Sequence, residues 1–190
     1  VLLHLASRSG YPAIAIHVDH GLQAQSRDWA AHCRAICSKA GIPIQTERVD
    51  LSVQPSGLEA AARKARYQVL LSRLAPGDCL LTAHHADDQA ETVLLRLLRG
   101  SGTRGLGGIQ PLWSLDGSWV ARPLLDYRRD AIKAYAAANA LSWIEDPSNT
   151  DPIHDRNYLR NRLMPVLEQR WPGSSAALAR LADSARVDRQ

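Results

Sequence analysis

The segment at 78–100, DCLLTAHHADDQAETVLLRLLRG, contains the transition on which the fold prediction depends. Its apolar start at 78–83 predicts a short buried strand, and the apolar spacing over 87–100 predicts a helix that ends at Gly100. Histidine, aspartate and glutamate side chains lie at the junction. Because ligands of parallel α/β sheets bind beyond the carboxyl ends of the strands, this junction is a candidate site.

Strand and helix patterns alternate along the rest of the chain, which predicts an α/β fold with a parallel sheet and helices on both faces. The start at 1–10 predicts the end of a helix closed by Gly10, without a cap at its beginning. We predict further strands at 13–18, 42–49, 118–125 and 141–146, and further helices at 27–41, 56–77, 127–140, 154–170 and 174–188.

Composition limits the classes of protein to consider. The 190 residues are 45% hydrophobic and carry a formal net charge of +4, with far more arginine than lysine, which favours an anionic partner unless it merely follows genome composition. We find no apolar run long enough to cross a membrane and no secretory signal, so we expect a cytoplasmic protein. The three cysteines then predict reduced, buried thiols rather than disulfides.

The acidic side chains of the junction have three interpretations. If the helix begins near Ala86, Asp87 and Asp88 lie in its first turn with Glu91 close behind, where the helix dipole stabilises negative charge. Crowded carboxylates also favour a cation, which is either an ammonium group of a substrate or a metal bound with His84 or His85. Residue chemistry alone leaves all three interpretations open.

Other segments carry polar residues of the same kind. HVDHGLQAQS (17–26) follows a predicted strand and indicates either a ligand loop or an ordinary connection. The glycine-rich RGSGTRGLGGI (99–109) indicates either a mobile phosphate-binding loop or a flexible linker. The segment DRNYLRNRLMPVLEQRW (155–171) predicts a helix with a buried stripe at Leu159, Leu163, Val166 and Leu167, and its arginines face either a phosphate or solvent.

Six motifs together resemble one family, the bacterial tRNA(Ile)-lysidine synthetases of the PP-loop ATP pyrophosphatase superfamily. In chain order they are VDHGL, GLEAAARKARY, TAHHADDQAETVLLRLLRGSGTRGLGGI, RPLL, EDPSNTD and RNYLRNRLMPVL, within residues 17–167. The resemblance implies a Rossmann-like, adenine nucleotide α-hydrolase-like fold. It also implies an ATP- and Mg²⁺-dependent ligase that adenylates the wobble cytidine of isoleucine tRNA with a CAU anticodon. Free L-lysine then displaces AMP.

The resemblance also implies roles for individual residues. Asp88 and Glu91 would hold the ammonium group of lysine, Asp87 would lie on the ATP–Mg²⁺ side, and Arg156 and Arg160 would stabilise phosphate charge or bind RNA. The nucleotide pocket would contain His17, Asp19, His20, Gly21, His84 and His85. RNA contacts are assigned to Arg63, Arg66 and Arg104. Family relatives also suggest a homodimer.

The sequence departs from the family pattern in one important way. The phosphate loop of the family, Ser-Gly-Gly-x-Asp-Ser, does not occur in it. We therefore expect 1–171 to be a catalytic domain without its first strand and phosphate loop. We expect 172–190 to be a helical segment leading to an absent C-terminal tRNA-binding region, and this chain to be inactive without the phosphate loop. The rivals are a PP-loop tRNA thiolation enzyme, a metal-dependent hydrolase, and a binding module without catalysis.

Overall fold

The computed structural model describes residues 1–19, 25–49 and 58–187 of the chain. It divides into two compact units. The first unit comprises Val1–Leu80 and Ser114–Trp119, and the second comprises Leu81–Trp113 and Val120–Gln190.

The first unit contains the parallel pairing that the sequence predicts. Its elements are α1 (Leu2–Ser7), β1 (Ala15–Asp19), α2 (Ser26–Ala40), β2 (Ile44–Arg48) and α3 (Leu58–Ser72). Strands β1 and β2 pair in parallel register, from Ala15 opposite Ile44 to Asp19 opposite Arg48. The helix between them ends at Gly41, whose φ of 67° gives the left-handed cap that favours glycine. Cys37 of this helix is buried, but Cys33 is only partly buried and Cys79 is exposed, so the prediction of three buried thiols is wrong.

A second sheet has the strand order β3–β5–β4, formed by β3 (Cys79–Leu81), β4 (Leu112–Leu115) and β5 (Ser118–Ala121). The sequence analysis did not predict β4. The two residues between β4 and β5, Asp116 and Gly117, have φ angles of 47° and 80°. An Asp-Gly pair with positive φ at both positions is the turn that a two-residue hairpin requires, so this dipeptide was the overlooked signal.

Helices dominate the second unit. They are α4 (Ala86–Leu98), α5 (Thr103–Leu106), α6 (Arg129–Ala138), a 3₁₀ turn (Pro147–Thr150), α7 (Asp155–Tyr158), a π turn (Leu159–Leu163), α8 (Met164–Arg170) and α9 (Ser174–Val187). The strand predicted at 141–146 is wrong: Leu141 N–H instead donates to Ala136 O and closes α6, and no described strand pairs with the segment. Within the described residues, no helix has the length and apolar character needed to cross a bilayer.

The π turn changes which side chains enter the core. Met164 N–H donates to Leu159 O, five residues back, and Pro165 has no N–H with which to continue an ordinary helical ladder. The extra residue rotates the following face, so Met164 is buried while Val166 is 59% exposed. The predicted burial of Val166 is therefore wrong. The core cluster contains Ala90, Leu94, Leu159 and Met164, with Leu95, Leu163, Leu167 and Leu178 packed against it.

Candidate active site

The helix-start interpretation of the acidic junction is confirmed by the beginning of α4. His85 is the N-cap residue, and its Nδ1 accepts a hydrogen bond from Asp88 N–H at 3.3 Å. Asp88 Oδ2 accepts one in return from His85 N–H at 3.0 Å, which completes a capping box. Because Nδ1 accepts, the neutral imidazole carries its proton on Nε2.

Two arginines of the α7–π segment bind the two carboxylates at the start of α4. Arg160 Nε donates to Glu91 Oε1 at 2.7 Å, and its Nη2 donates to Glu91 Oε2 at 2.9 Å and to Asp88 Oδ1 at 3.0 Å. Arg156 Nε donates to Glu91 Oε2 at 2.8 Å, and its Nη2 lies 3.2 Å from Asp88 Oδ1. We call Asp88, Glu91, Arg156 and Arg160 the four-charge cluster.

Burial makes this pairing strong. The Glu91 side chain is 3% exposed and that of Asp88 13%, whereas Arg156 and Arg160 are 28% and 22% exposed. A carboxylate as enclosed as Glu91 requires compensation, and the cluster supplies two guanidinium groups for two carboxylates. Burial alone would lower the pKa of Arg160, but its hydrogen bond to Glu91 and the charges of Glu91, Asp88 and Asp87 outweigh that effect and raise it.

Asp87 points to a different set of partners. Its Oδ2 accepts from Arg129 N–H at 2.7 Å, and its Oδ1 lies 2.9 Å from Arg128 Nε. That Nε is not directed at the oxygen well enough to donate, so the contact is an ion pair without a hydrogen bond. Arg128 also approaches Glu168, with Nη1 3.6 Å from Oε1. The sequence analysis did not single out Arg128.

A magnesium site is not formed by Asp87 in this arrangement. Mg²⁺ prefers oxygen ligands in octahedral geometry, whereas both oxygens of Asp87 already face positively polarised groups, the Arg128 guanidinium and a backbone N–H. In the described part of the chain, no three His, Cys, Asp or Glu side chains are grouped so that they could hold a metal ion. The assignment of Asp87 to Mg²⁺ therefore stays a prediction.

The glycine-rich segment is held in place by side chains, contrary to the mobile loop or flexible linker expected. Gln89, 2% exposed, donates to Ile109 O at 3.0 Å and accepts from Ile109 N–H at 2.6 Å. Arg96 donates to the carbonyls of Gly105 and Gly108 at 2.8 and 2.9 Å. Arg186 of α9 donates to the carbonyls of Gly107 and Ile109, both at 2.9 Å.

A tight contact explains one glycine in this segment. Gly108 has a φ of 58°, and a Cβ there would lie 2.4 Å from Gln89 Oε1 and 3.1 Å from the Cβ of Ala182. Only glycine fits at such a position. Gln89 and Arg186, which the sequence analysis also missed, therefore anchor the segment to α4 and α9.

The other predicted site residues lie elsewhere. His17 Nδ1 is 3.7 Å from Cys33 Sγ, and Asp19 ends β1 with its carbonyl accepting from Val49 N–H at 2.9 Å. Arg63 and Arg66 are exposed on α3, where Arg63 stacks over the Tyr67 ring at 5.3 Å. These residues belong to the first unit, whereas His84, 3.0 Å from Thr82 Oγ1, belongs to the second. His20, Gly21 and the side chain of Arg104 lie outside the described part of the chain.

Several bacterial proteins named tRNA(Ile)-lysidine synthase are similar in sequence to this chain. The chain is 50% identical over 187 residues to the tRNA(Ile)-lysidine synthase of Pseudomonas aeruginosa, a match that covers 96% of this chain and 42% of the relative. It is also 50% identical to the protein of that name in Xanthomonas campestris, covering 96% and 43%, and 44% identical to the one in Coxiella burnetii, covering 95% and 40%. The chain thus spans about two fifths of the length of these curated relatives.

A solved structure supports the fold. The U34-tRNA thiolase NcsA from Methanococcus maripaludis, determined with its [4Fe-4S] cluster, matches 96% of this chain and 66% of its own, with a TM-score of 0.71 and 19% identity. That likeness shows the Rossmann-like, adenine nucleotide α-hydrolase-like α/β fold. The protein-family model of the PP-loop domain matches residues 1–167 of this chain. The chain therefore belongs to the PP-loop family of ATP-binding domains.

Proposed function

We propose that the chain forms ATP- and lysine-facing parts of a tRNA(Ile)-lysidine synthase. In this reaction the wobble cytidine of a CAU-anticodon isoleucine tRNA attacks the α-phosphate of ATP through its C2 oxygen, and pyrophosphate leaves. An amine of free L-lysine then attacks C2, loses a proton, and displaces AMP together with that oxygen. The identity to several lysidine synthases over nearly the whole chain supports this choice of reaction.

The four-charge cluster is the observation that carries the proposal. It combines carboxylates suited to an ammonium group with guanidinium groups suited to phosphate charge, at the start of α4. Both kinds of group are needed when a cationic amino acid reacts with an adenylated base. In the free protein these groups order one another, so only the contacts of Asp88 have to change when lysine binds.

The contacts favour different roles for the two carboxylates. Glu91 accepts three hydrogen bonds from the arginines and is nearly inaccessible, so it serves mainly to orient them. Asp88 is the more exposed, and its Oδ1 shares the Nη2 groups of both arginines. We therefore place the lysine ammonium at Asp88, where it competes with those Nη2 groups. A guanidinium displaced in this way would then be available to the pyrophosphate or AMP leaving group.

The proposal includes several further assignments. ATP would contact His17, Asp19, His20, Gly21, His84 and His85, and RNA would contact Arg63, Arg66 and Arg104. The catalytic domain would extend over 1–171, although α9 belongs to the second unit and packs within it closely enough to bury Ala182 completely. The proposal also places the protein in the cytoplasm, together with its tRNA substrate. It further includes a homodimer, which analytical sedimentation would test.

A tRNA thiolase is the second candidate, because a protein with that activity shares the fold. Iron–sulfur clusters are generally held by grouped cysteine thiolates, and a cysteine that transfers sulfur as a nucleophile is activated by a low pKa. Here burial raises the pKa of Cys33 and, together with the neighbouring Cys33, that of Cys37. Cys33 and Cys37 are thus not activated for nucleophilic sulfur transfer, and among the described residues no three ligand side chains are grouped so that they could hold a cluster. Both observations favour lysidine formation.

The test is transfer of labelled lysine to a tRNA(Ile) transcript with a CAU anticodon. The protein assayed is a chimaera in which this chain replaces the matching residues of the Pseudomonas aeruginosa relative. We expect ATP-dependent incorporation of lysine that survives replacement of Cys33, Cys37 and Cys79 by alanine. Incorporation of sulfur instead, or loss of activity in the folded cysteine-free variant, would favour the thiolase.

A further inference from the structure

The helical segment from α7 to α8 presents arginines on two opposite sides. Arg156 and Arg160 face Asp88 and Glu91 in the four-charge cluster. Arg162 follows Arg160 by two residues, and side chains two apart on a helix do not share a face. Arg162 is accordingly exposed, as is Arg170 two turns further on.

Aromatic and apolar side chains accompany these outward arginines. Tyr158 is 53% exposed, and Val166 and Trp171 are both 59% exposed. The residues at 158, 162, 166 and 170 recur every four positions, so neighbouring members lie side by side on the surface. We call Tyr158, Arg162, Val166, Arg170 and Trp171 the outer face.

The positive charge of the outer face is not neutralised locally. Among the described residues, no carboxylate lies within ion-pair distance of Arg162 or Arg170, and the Arg170 guanidinium instead lies 5.7 Å from the centre of the Trp171 ring. The acidic side chain within α8, Glu168, is directed to Gly173 and Ser175 N–H. At the start of α7, Asp155 binds Arg99 at 2.6 Å.

Backbone contacts hold the aromatic end of this face in position. Trp171 N–H donates to Leu167 O at 2.7 Å, and Trp171 O accepts from Ser174 N–H at 3.0 Å. The exposed ring is therefore attached to an ordered turn between α8 and α9. An aromatic residue whose backbone is already ordered in the free protein loses less conformational entropy when a flat partner stacks on it.

We propose that the outer face binds unpaired nucleotides of the RNA substrate. Arginine side chains interleaved with exposed aromatic rings are the arrangement that binds single-stranded nucleic acid, through phosphate contacts and base stacking. A helix is only about 10–12 Å across with its side chains, so RNA on the outer face lies close to the reacting groups on the inner face. Arg162 and Arg170 take phosphates, while Trp171 and Tyr158 stack on bases. This inference rests on the proposed function, since it needs an RNA substrate.

The test is fluorescence anisotropy of the chain with a labelled anticodon stem-loop RNA carrying CAU, titrated over a series of KCl concentrations. The logarithm of the RNA association constant falls linearly with the logarithm of salt concentration, and each phosphate contact to single-stranded RNA contributes roughly 0.7 to the steepness of that line. Arg162→Ala/Arg170→Ala should therefore make the line shallower by roughly 1.4. Trp171→Ala should weaken binding roughly 5- to 100-fold with little change in slope, and Trp171→Phe should restore most of it.

The matched control removes the same charge from another surface. Arg34→Ala/Lys39→Ala deletes two exposed positive residues of α2, and it should leave the salt slope unchanged. Equal salt slopes for the wild type and the Arg162/Arg170 variant would contradict RNA binding by the outer face without contradicting the tRNA substrate. A fall in slope in the control as large as in the Arg162/Arg170 variant would also contradict it, because the RNA would then bind diffusely over the positive surface. A wild-type chain that binds no RNA would contradict the tRNA substrate as well. A variant that changes the oligomeric state while RNA binding persists would show that protein covers this face.

Discussion

Replacing Glu91 by glutamine tests whether the four-charge cluster stabilises the second unit. Glutamine has the same shape as glutamate but carries no charge, and one of its two terminal positions is an NH₂ group that cannot accept a hydrogen bond. If its oxygen takes the place of Oε2, it still accepts from Arg156 Nε and Arg160 Nη2. Its NH₂ group then faces Arg160 Nε across the 2.7 Å now spanned by a hydrogen bond.

The magnitude follows from those contacts. One charge-assisted hydrogen bond, worth about 1.5–3 kcal/mol, is lost, and two others now reach a neutral acceptor. Breaking a buried pair by removing one partner costs about 3–5 kcal/mol, but Asp88 still faces both arginines and these are partly solvated. We expect a loss of about 3 kcal/mol, which corresponds to a fall in Tm of roughly 6–12 °C for a chain of this size.

The assay is thermal and urea unfolding followed by circular dichroism, with Glu145→Gln as the control. Glu145 undergoes the same chemical change, but it is 69% exposed and lies 3.9 Å from its partner Lys133. A surface pair of this kind contributes at most about 1 kcal/mol. If Glu91→Gln destabilises the protein no more than Glu145→Gln does, the four-charge cluster is not the stabilising feature described here.

Three other predictions follow from local geometry. Gly108→Ala should lower the free energy of unfolding, measured in urea, by about 2–4 kcal/mol because the new Cβ would meet buried Gln89. Gly173→Ala, where the new Cβ has open space, should lower it by about 1 kcal/mol. Met164→Ala should cost about 2–5 kcal/mol and Val166→Ala less than about 0.5 kcal/mol, and the reverse order would exclude the π turn. Hydrogen bonds from Ser175 and Gly173, with the charge of Arg128, lower the pKa of Glu168 to about 2. The ionised carboxylate therefore stabilises the protein by about 1–3 kcal/mol, between the usual value of a helix cap and the value of a pKa lowered by about two units. This contribution is present above pH ~4.3 and should disappear as the pH falls towards 2, so that Glu168→Gln and the wild type converge there; a difference independent of pH would contradict this.

Local signals in the sequence were sufficient for much of the fold. The alternation of apolar runs and helical spacing predicted the parallel pair β1–β2, and the apolar spacing over 87–100 predicted α4, which begins one residue earlier at Ala86. Both features depend on neighbouring residues, which sequence patterns represent well. The hairpin after Leu112 was missed although its Asp-Gly turn was present, because each of its strands has only four residues.

Long-range packing limited the prediction of the site. Arg156 and Arg160 lie far along the chain from Asp88 and Glu91, so no spacing rule pairs them. Helical periodicity placed Val166 in the core because it does not anticipate the extra residue of a π turn. Once the arginines are known to be partly buried, their pairing with carboxylates follows from the cost of an uncompensated charge.

The most direct test of the central claim is the steady-state KM for lysine of an Asp88→Asn variant, measured by lysine transfer to tRNA in the chimaera described above. If Asp88 holds the lysine ammonium through a charge-assisted contact, the KM for lysine should rise roughly 10- to 100-fold while the KM for ATP changes little. An unchanged KM for lysine, or a rise confined to the KM for ATP, would contradict the assignment of this carboxylate to lysine.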